Sequence, residues 1–362
     1  MRKIIKPFLY VFSSIYGTIV FFRNMFYDFN FFSSKEFHLP VISVGNITVG
    51  GTGKTPHTEY LIRLLKEDYK VAFLSRGYKR KTRDFVLSTE KSTLEEIGDE
   101  PLQIKQKFPD LTVAVDRKRV NGIERLTESN PELDIILLDD AYQHRQVTPG
   151  INILLVDYTR PIKGDSLLPL GRLREPASEK KRADVIIITK VPRNLSAMDK
   201  RLFLHNLNAR PYQTVYFTTI RYGAPTPIYE LHPMARIPDF SQKELSILLV
   251  TGIANPAPLL EKLSAAYKEV VHARFADHHV FTKQDMASIM AKYNALPSQN
   301  KAIVTTEKDA VRLLSQHYND NIPEAWYYIP IETEFLWNEG ENFNRQIIHY
   351  VKNNSRNSIL YK

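Results

Sequence analysis

The stretch Val49-Gly50-Gly51-Thr52-Gly53-Lys54-Thr55-Pro56 constrains this chain more than any other. It follows the apolar run Val41–Val44 and precedes a segment whose Tyr60, Leu61, Leu64 and Leu65 fall on one helical face. Strand, glycine loop and helix in that order build a phosphate-binding turn. The glycines let backbone N–H groups converge on phosphate oxygens, and the positive end of the helix dipole faces the same way. Lys54 can reach the β- and γ-phosphates of a nucleoside triphosphate, and Thr55 can offer its hydroxyl to Mg²⁺. Pro56 fits the first helical turn, where a missing N–H costs nothing. Thr48 stands where the usual pattern has its first glycine, so the nucleotide loop runs through Thr48, Val49, Gly50, Gly51, Thr52, Gly53, Lys54 and Thr55.

Such a loop needs a carboxylate at the end of a neighbouring strand. Asp134-Ile135-Ile136-Leu137-Leu138-Asp139-Asp140 supplies two, after four apolar residues that bury the strand. Ligands bind at this carboxyl end in open α/β sheets. Asp139 or Asp140 should hold Mg²⁺ directly or through water, although either could instead cap a helix. Gln143, His144 and Arg145 follow at once, near the phosphates. Further buried-strand candidates at Val71–Leu74, Val113–Val115, Ile151–Val156 and Val185–Thr189 alternate with helix-competent stretches, which implies a mostly parallel sheet covered on both faces. The pattern breaks over 211–240, rich in Pro, Tyr and Thr, and restarts with the strands Ile247–Val250 and Ala302–Thr305. The expected fold is α/β: a P-loop NTPase-like parallel sheet flanked by helices, a second smaller α/β lobe, and an N-terminal membrane-associated helix. The expected division is 1–35 interface helix, 36–210 core, 211–240 linker or β-ribbon, and 241–362 second lobe.

Composition narrows the chemistry. The chain of 362 residues has no cysteine, which excludes disulfide scaffolds, thiolate metal sites and a cysteine nucleophile. A net charge of +9 favours anionic partners. From Phe8 to Phe32 the sequence is dominated by apolar and aromatic residues, but its longest uncharged run, Pro7–Phe22, is shorter than the roughly 20 residues a membrane span needs. Arg2, Lys3 and Lys6 precede it, and no small-x-small cleavage site follows. The reading is a helix lying in a membrane interface with its basic end near anionic headgroups; the alternative is a helix packed on the core.

Several segments resemble one family together. Val44-Gly45-Asn46 leading into the glycine loop is similar to the tetraacyldisaccharide 4′-kinases of lipid A biosynthesis. So are Ser75-Arg76-Gly77-Tyr78, Gly98-Asp99-Glu100-Pro101, Asp116-Arg117-Lys118-Arg119, Asp139–Arg145, Leu173-Arg174-Glu175-Pro176, Asp277-His278-His279 and Thr306–Ala310, in family order. Ala141 stands where Gly is expected and Tyr142 where Phe is usual; neither removes a ligand. The resemblance implies ATP and Mg²⁺ as cofactors, and as acceptor the 4′-hydroxyl of an acylated disaccharide 1-phosphate lipid, at the cytoplasmic face of the inner membrane. It implies Lys54, Asp139, Asp99 and His278 as catalytic residues, Asp99 as base with His278 (or His279) assisting. It also implies Arg119, Arg174 and Glu175 on nucleotide or phosphate, and Thr55, Asp139, Asp140 and Gln143 around the metal. A monomer that binds the membrane through its N-terminal helix and no nucleic acid completes the expectation.

Two rival classes remain in view. A membrane-recruited partition ATPase carries a lysine just before the two glycines, and here that position is Val49. A nucleic-acid ATPase would use the basic run Lys79–Arg83, although such a run is more often a solvated loop. Thr189-Lys190 ends a strand in the manner of the base-reading element of some nucleotide-binding proteins.

Overall fold

The computed structural model describes residues 2–228, 238–314 and 326–354. The strands are β1 (Val41–Gly45), β2 (Val71–Ser75), β3 (Val86–Leu87), β4 (Thr112–Val115), β5 (Ile135–Asp139), β6 (Ile151–Asp157), β7 (Val185–Thr189) and β8 (Thr214–Tyr222), then β9 (Thr226–Pro227), β10 (Ser246–Thr251), β11 (Glu269–Arg274), β12 (Lys301–Thr306), β13 (Trp326–Ile329) and β14 (Ile331–Phe335). The helices are α1 (Arg2–Asp28), α2 (Lys54–Leu65), α3 (Leu94–Ile97), α4 (Asp99–Lys107), α5 (Arg119–Ser129), α6 (Ala197–Leu207), α7 (Ala257–Ala266), α8 (Lys283–Asn294), α9 (Glu307–Leu314) and α10 (Gly340–Asn354).

Nine strands form the larger sheet in the order β14-β8-β7-β6-β1-β5-β2-β4-β3, parallel except for its two edges. The central strands are apolar on both faces because helices cover both. Ile42, Val44, Phe73, Leu137 and Ile153 pack against Leu61, Ile62 and Leu65 of α2 and Phe343, Ile347 and Val351 of α10. Leu74, Ile136 and Leu138 pack the other way, against Ile123 and Leu126 of α5. Chain order reverses at β1, which has β5 on one side and β6 on the other. The register pairs Val44 with Asp139 and Gly45 with Leu154, so the glycine loop leaves the sheet beside the two aspartates, where a crevice opens.

Among the described residues five strands form the second sheet, β11-β10-β12-β13-β9. Only residues 223–225 cross from β8 to β9, and only Pro330 joins β13 to β14. The two crossings touch, Gly223 N donating to the Pro330 carbonyl at 2.8 Å.

The boundaries differ from the expected ones at two places. Residues 214–222 are not linker but a strand of the large sheet, and 229–237 lie outside the described residues. The C-terminal part of 241–362 does not stay in the second lobe: β14 pairs with β8, and α10 covers the first sheet. The reason is that the aromatic side chains Phe335 and Phe343 bury themselves on Tyr60 and Tyr216, a contact that no local pattern announces.

Helix α1 lies on the core by its polar face. Ser13 donates to the Leu167 carbonyl at 2.8 Å, Tyr16 to the Arg174 carbonyl at 2.7 Å, and Arg23 pairs with buried Glu175. Gly17 sits where a Cβ would come within 2.8 Å of Leu167. The opposite face, with Phe8, Val11, Phe12, Ile15, Ile19 and Phe22, is exposed. This inverts the usual amphipathic arrangement, in which the apolar stripe faces the protein. No helix among the described residues is long and apolar enough to cross a membrane. The side chains of Arg2 and Lys3 lie outside what is described; Lys6 is exposed.

Candidate active site

The glycine loop turns tightly where it enters α2. Gly53 has φ 89° and Gly50 φ 105°, left-handed values that favour glycine. Lys54 then projects toward Asp140 at 3.6 Å. Thr52 is held from inside by Asn46, whose Nδ2 donates to its hydroxyl at 2.7 Å. The antiparallel bridge between Thr48 and Leu173, with Val49 N donating to the Arg172 carbonyl at 2.8 Å, fastens the start of the loop.

Asp139 and Asp140 have different surroundings. Arg174 grips Asp140 with 3.0 Å contacts to both oxygens; although burial opposes it, Lys54 and Arg174 keep its pKa below the ordinary value. Asp139 is buried, and its Oδ1 has no hydrogen-bond partner among the described residues. Burial, reinforced by the charges of Glu100 and Asp140, pushes its pKa up to about 7. A buried carboxylate oxygen with no proton donor suits a divalent cation, and Thr55 stands in the first turn of α2. Among the described residues no three acidic or histidine side chains form a cage. Mg²⁺ is held by one or two carboxylates while phosphates and water complete its shell.

Three other expected residues are placed differently from the reading. Arg119 is wholly buried, its guanidinium donating to the carbonyls of Asp116 at 2.6 Å and Asp139 at 3.0 Å. Burial lowers its pKa to about 10, and it acts on the aspartates by its field rather than by touching an open crevice. Glu175 is also fully buried, between Arg23, Arg182 and Gln143, so it ties α1 to the core instead of facing nucleotide. Gln143 spends its amide N–H on the Asn46 carbonyl at 2.8 Å, and its oxygen faces Arg174 at 3.4 Å, where a cation would meet a guanidinium.

The second lobe completes the crevice. Gly98 has φ 88°, and a Cβ there would lie 2.8 Å from the Tyr78 carbonyl, so glycine is needed to swing Asp99 into place. His278 Nδ1 donates to Asp99 Oδ2 at 2.8 Å, and Arg312 Nη2 donates to the same oxygen at 2.7 Å. Burial alone would raise the Asp99 pKa, but His278, Lys308 and Arg312 hold it well below the carboxylate range. His279 points elsewhere: its Nε2 meets Asp285 at 2.9 Å and its ring stacks on Phe275. Lys308 reaches Glu100 at 2.7 Å, and Glu100 in turn acts on Asp139. Phosphate loop, aspartate pair and Asp99–His278 pair therefore form one continuous electrostatic site.

Over nearly its whole length the chain is similar to curated kinases of one name. The family model described as tetraacyldisaccharide-1-P 4′-kinase matches residues 5–352. The chain belongs to the tetraacyldisaccharide 4′-kinase family. A relative from Phocaeicola vulgatus named tetraacyldisaccharide 4′-kinase is 50% identical over 98% of this chain and 97% of its own. One of the same name from Bacteroides thetaiotaomicron is 46% identical, over 98% and 95%. The crystal structure of LpxK from Aquifex aeolicus in complex with ATP superposes with a TM-score of 0.73 at 27% identity, covering 96% of this chain and 99% of that one.

Four residues of this kinase escaped the sequence reading. Arg312 lies three residues past Asp309, which it also pairs with at 2.8 Å, just beyond the motif that carried the resemblance. Lys308 lay inside that motif without an assigned role. His57 is buried, with Nδ1 on the Gly53 carbonyl at 2.7 Å and Nε2 on the Thr218 hydroxyl at 2.9 Å; burial lowers its pKa to about 4. Ser75 Oγ approaches Asp139 at 3.5 Å from β2. For His57 the signal was available: a histidine four residues after the last loop glycine faces back onto that glycine's carbonyl.

Proposed function

We propose that this chain transfers the γ-phosphoryl group of ATP to the 4′-hydroxyl of a tetraacyldisaccharide 1-phosphate lipid, with the acceptor's proton passing to the Asp99–His278 pair. The observation that carries this reading is the second-lobe histidine seated on a buried carboxylate, one residue from the Glu100 that acts on Asp139. Phosphoryl transfer needs positioning and charge neutralisation more than covalent chemistry. Backbone N–H groups of the loop and Lys54 would take the phosphate oxygens, and Arg174 would hold Asp140 in place for the metal. Thr55 and Asp139 would hold Mg²⁺, which supplies positive charge against the phosphates.

Asp99 by itself is a weak base because its partners stabilise its anion. Through the imidazole it does more. With Nδ1 committed to Asp99, the other nitrogen, Nε2, has Asp277 at 4.0 Å and can receive a proton while Asp99 stabilises the resulting cation. His278 itself sits at φ 58°, a left-handed conformation that costs a non-glycine residue on the order of 1 kcal/mol and clusters at functional sites.

The acceptor keeps its acyl chains in a bilayer, so the crevice must lie against the membrane. The outward aromatic face of α1 suits that surface, and the working location is the cytoplasmic face of the inner membrane, with the protein monomeric and bound peripherally. The decisive experiment supplies labelled ATP, Mg²⁺ and a disaccharide 1-phosphate lipid in mixed micelles. Labelled lipid is the expected product, and its absence with folded protein would reject the assignment.

A further inference from the structure

Three successive carbonyls of the phosphate loop are taken by side chains from outside it. Lys190 Nζ donates to the Gly51 carbonyl and, at 2.6 Å, to Asp157. Thr189 Oγ1 donates to the Thr52 carbonyl at 2.9 Å, and His57 Nδ1 to that of Gly53 at 2.7 Å. In a trans peptide the C=O and the following N–H point in opposite directions. Fixing these three carbonyls therefore fixes the N–H groups of Thr52, Gly53 and Lys54, each directed away from the side chain that holds its carbonyl. Among the described residues neither the Thr52 nor the Gly53 amide has a protein acceptor.

Lys190 is built for this task. It follows the last residue of β7 at φ 58°, and the left-handed turn swings its side chain back across the sheet end instead of into solvent. Asp157, buried at the end of β6, anchors the ammonium and is itself held by the Thr159 N–H at 2.9 Å and hydroxyl at 2.7 Å. Backbone strain of this sort persists only where surrounding structure over-determines it.

We infer that Lys190, seconded by Thr189, is a positioning residue that locks the phosphate loop in its anion-binding form, and that it does not read the nucleotide base. The inference rests on the ATP-dependent reading above. It locates the cost of losing Lys190 in the phosphate contacts alone.

The test measures binding of ADP, AMP and adenosine by calorimetry to unaltered protein, Lys190→Met, Lys190→Arg, Thr189→Val and Thr189→Ser, with thermal melts for each. Losing a charge-assisted bond that orients the loop should weaken ADP roughly 10- to 100-fold in Lys190→Met. Thr189→Val should weaken it less, and Lys190→Arg and Thr189→Ser should recover much of the loss. Adenosine should bind all five proteins alike and AMP should lose less than ADP, and in turnover KM for ATP should rise while KM for the lipid acceptor stays constant. Unchanged ADP affinity in Lys190→Met would overturn the inference. So would an equal loss of adenosine binding, which would make Lys190 a base reader. If unaltered protein failed to bind ADP at all, the kinase reading itself would fall.

Discussion

Asp139 and Asp140 are neighbours in sequence and opposites in environment, and the difference predicts behaviour. Lys54→Ala and Asp139→Ala should each cut turnover by roughly 100-fold or more at saturating ATP while far-ultraviolet circular dichroism stays unchanged, because both act where charge develops. Near-normal turnover in either would misplace that residue. Asp139 also sets a pH dependence. Its folded pKa of about 7 exceeds the ordinary 3.8, so the folded state binds its proton more tightly than the unfolded chain does. Its contribution to stability is full below about pH 3.8 and lost as pH rises through about 7. Without metal, Asp139→Asn should therefore raise Tm at pH 8 and change it little at pH 4; Mg²⁺ should narrow the gap at pH 8. An equal shift at both pH values would show that Asp139 is not the strained group. At Asp99 the chemistry is separable from binding. Asp99→Asn fills the same space but cannot stabilise the imidazolium, so kcat should fall by roughly 100- to 10,000-fold with ATP affinity within a few-fold. Equal loss of ATP binding would make Asp99 a nucleotide or metal ligand instead.

At the scale of the element, α1 separates two jobs by face. Its polar side holds Ser13, Tyr16, Arg23 and Asn24 against the core, and Asp28 is clamped by Arg145 at 2.6 Å and Lys181 at 2.8 Å. On its other side Phe8, Val11, Phe12, Ile15 and Ile19 are exposed. Replacing Phe8, Phe12, Ile15 and Ile19 together by Ser should leave Tm within a few degrees yet release the protein from anionic vesicles in a flotation assay. KM for vesicle-presented acceptor should rise while ATP affinity is unaffected. High salt should weaken attachment of the intact protein without abolishing it, since screening reduces the basic contribution but not apolar burial. A variant that floats as well as the parent would move the docking surface elsewhere.

For the whole molecule, the governing feature is that two short crossings join the lobes while the site spans both. Arg312 ties them together, bonding Asp99 of the first lobe and the Gly252 carbonyl (2.9 Å) and Asp309 of the second. Removing one partner of a buried ion pair leaves the other charge uncompensated, at about 3–5 kcal/mol. Arg312→Met should lower the denaturant midpoint accordingly and reduce kcat by freeing Asp99, and Arg312→Lys should restore only part of each. A variant with unchanged stability would mean that the lobes are held by other contacts, such as Lys107, which bridges Glu59 and Glu307.

What the sequence by itself determined is the chemistry carried by contiguous segments. Strand, glycine loop and helix at 41–65 and the double aspartate closing β5 were legible because local spacing dictates turn geometry and helix-terminal charge, whereas Asp99 and His278 were singled out by the family resemblance alone. Tertiary structure alone decided how those segments are partnered. Arg312 meets Asp99 across 213 residues, Lys190 meets Gly51 across 139, and Arg23 meets Glu175 across 152. No periodicity reports such distances. Glu175 and Arg119 were expected on nucleotide or phosphate and lie buried, β14 and α10 read as second lobe and returned to the first sheet, and His278 could not be told from His279. In each case the outcome was set by which buried charge had to be neutralised, or which aromatic surface had to be covered, once the lobes were in place.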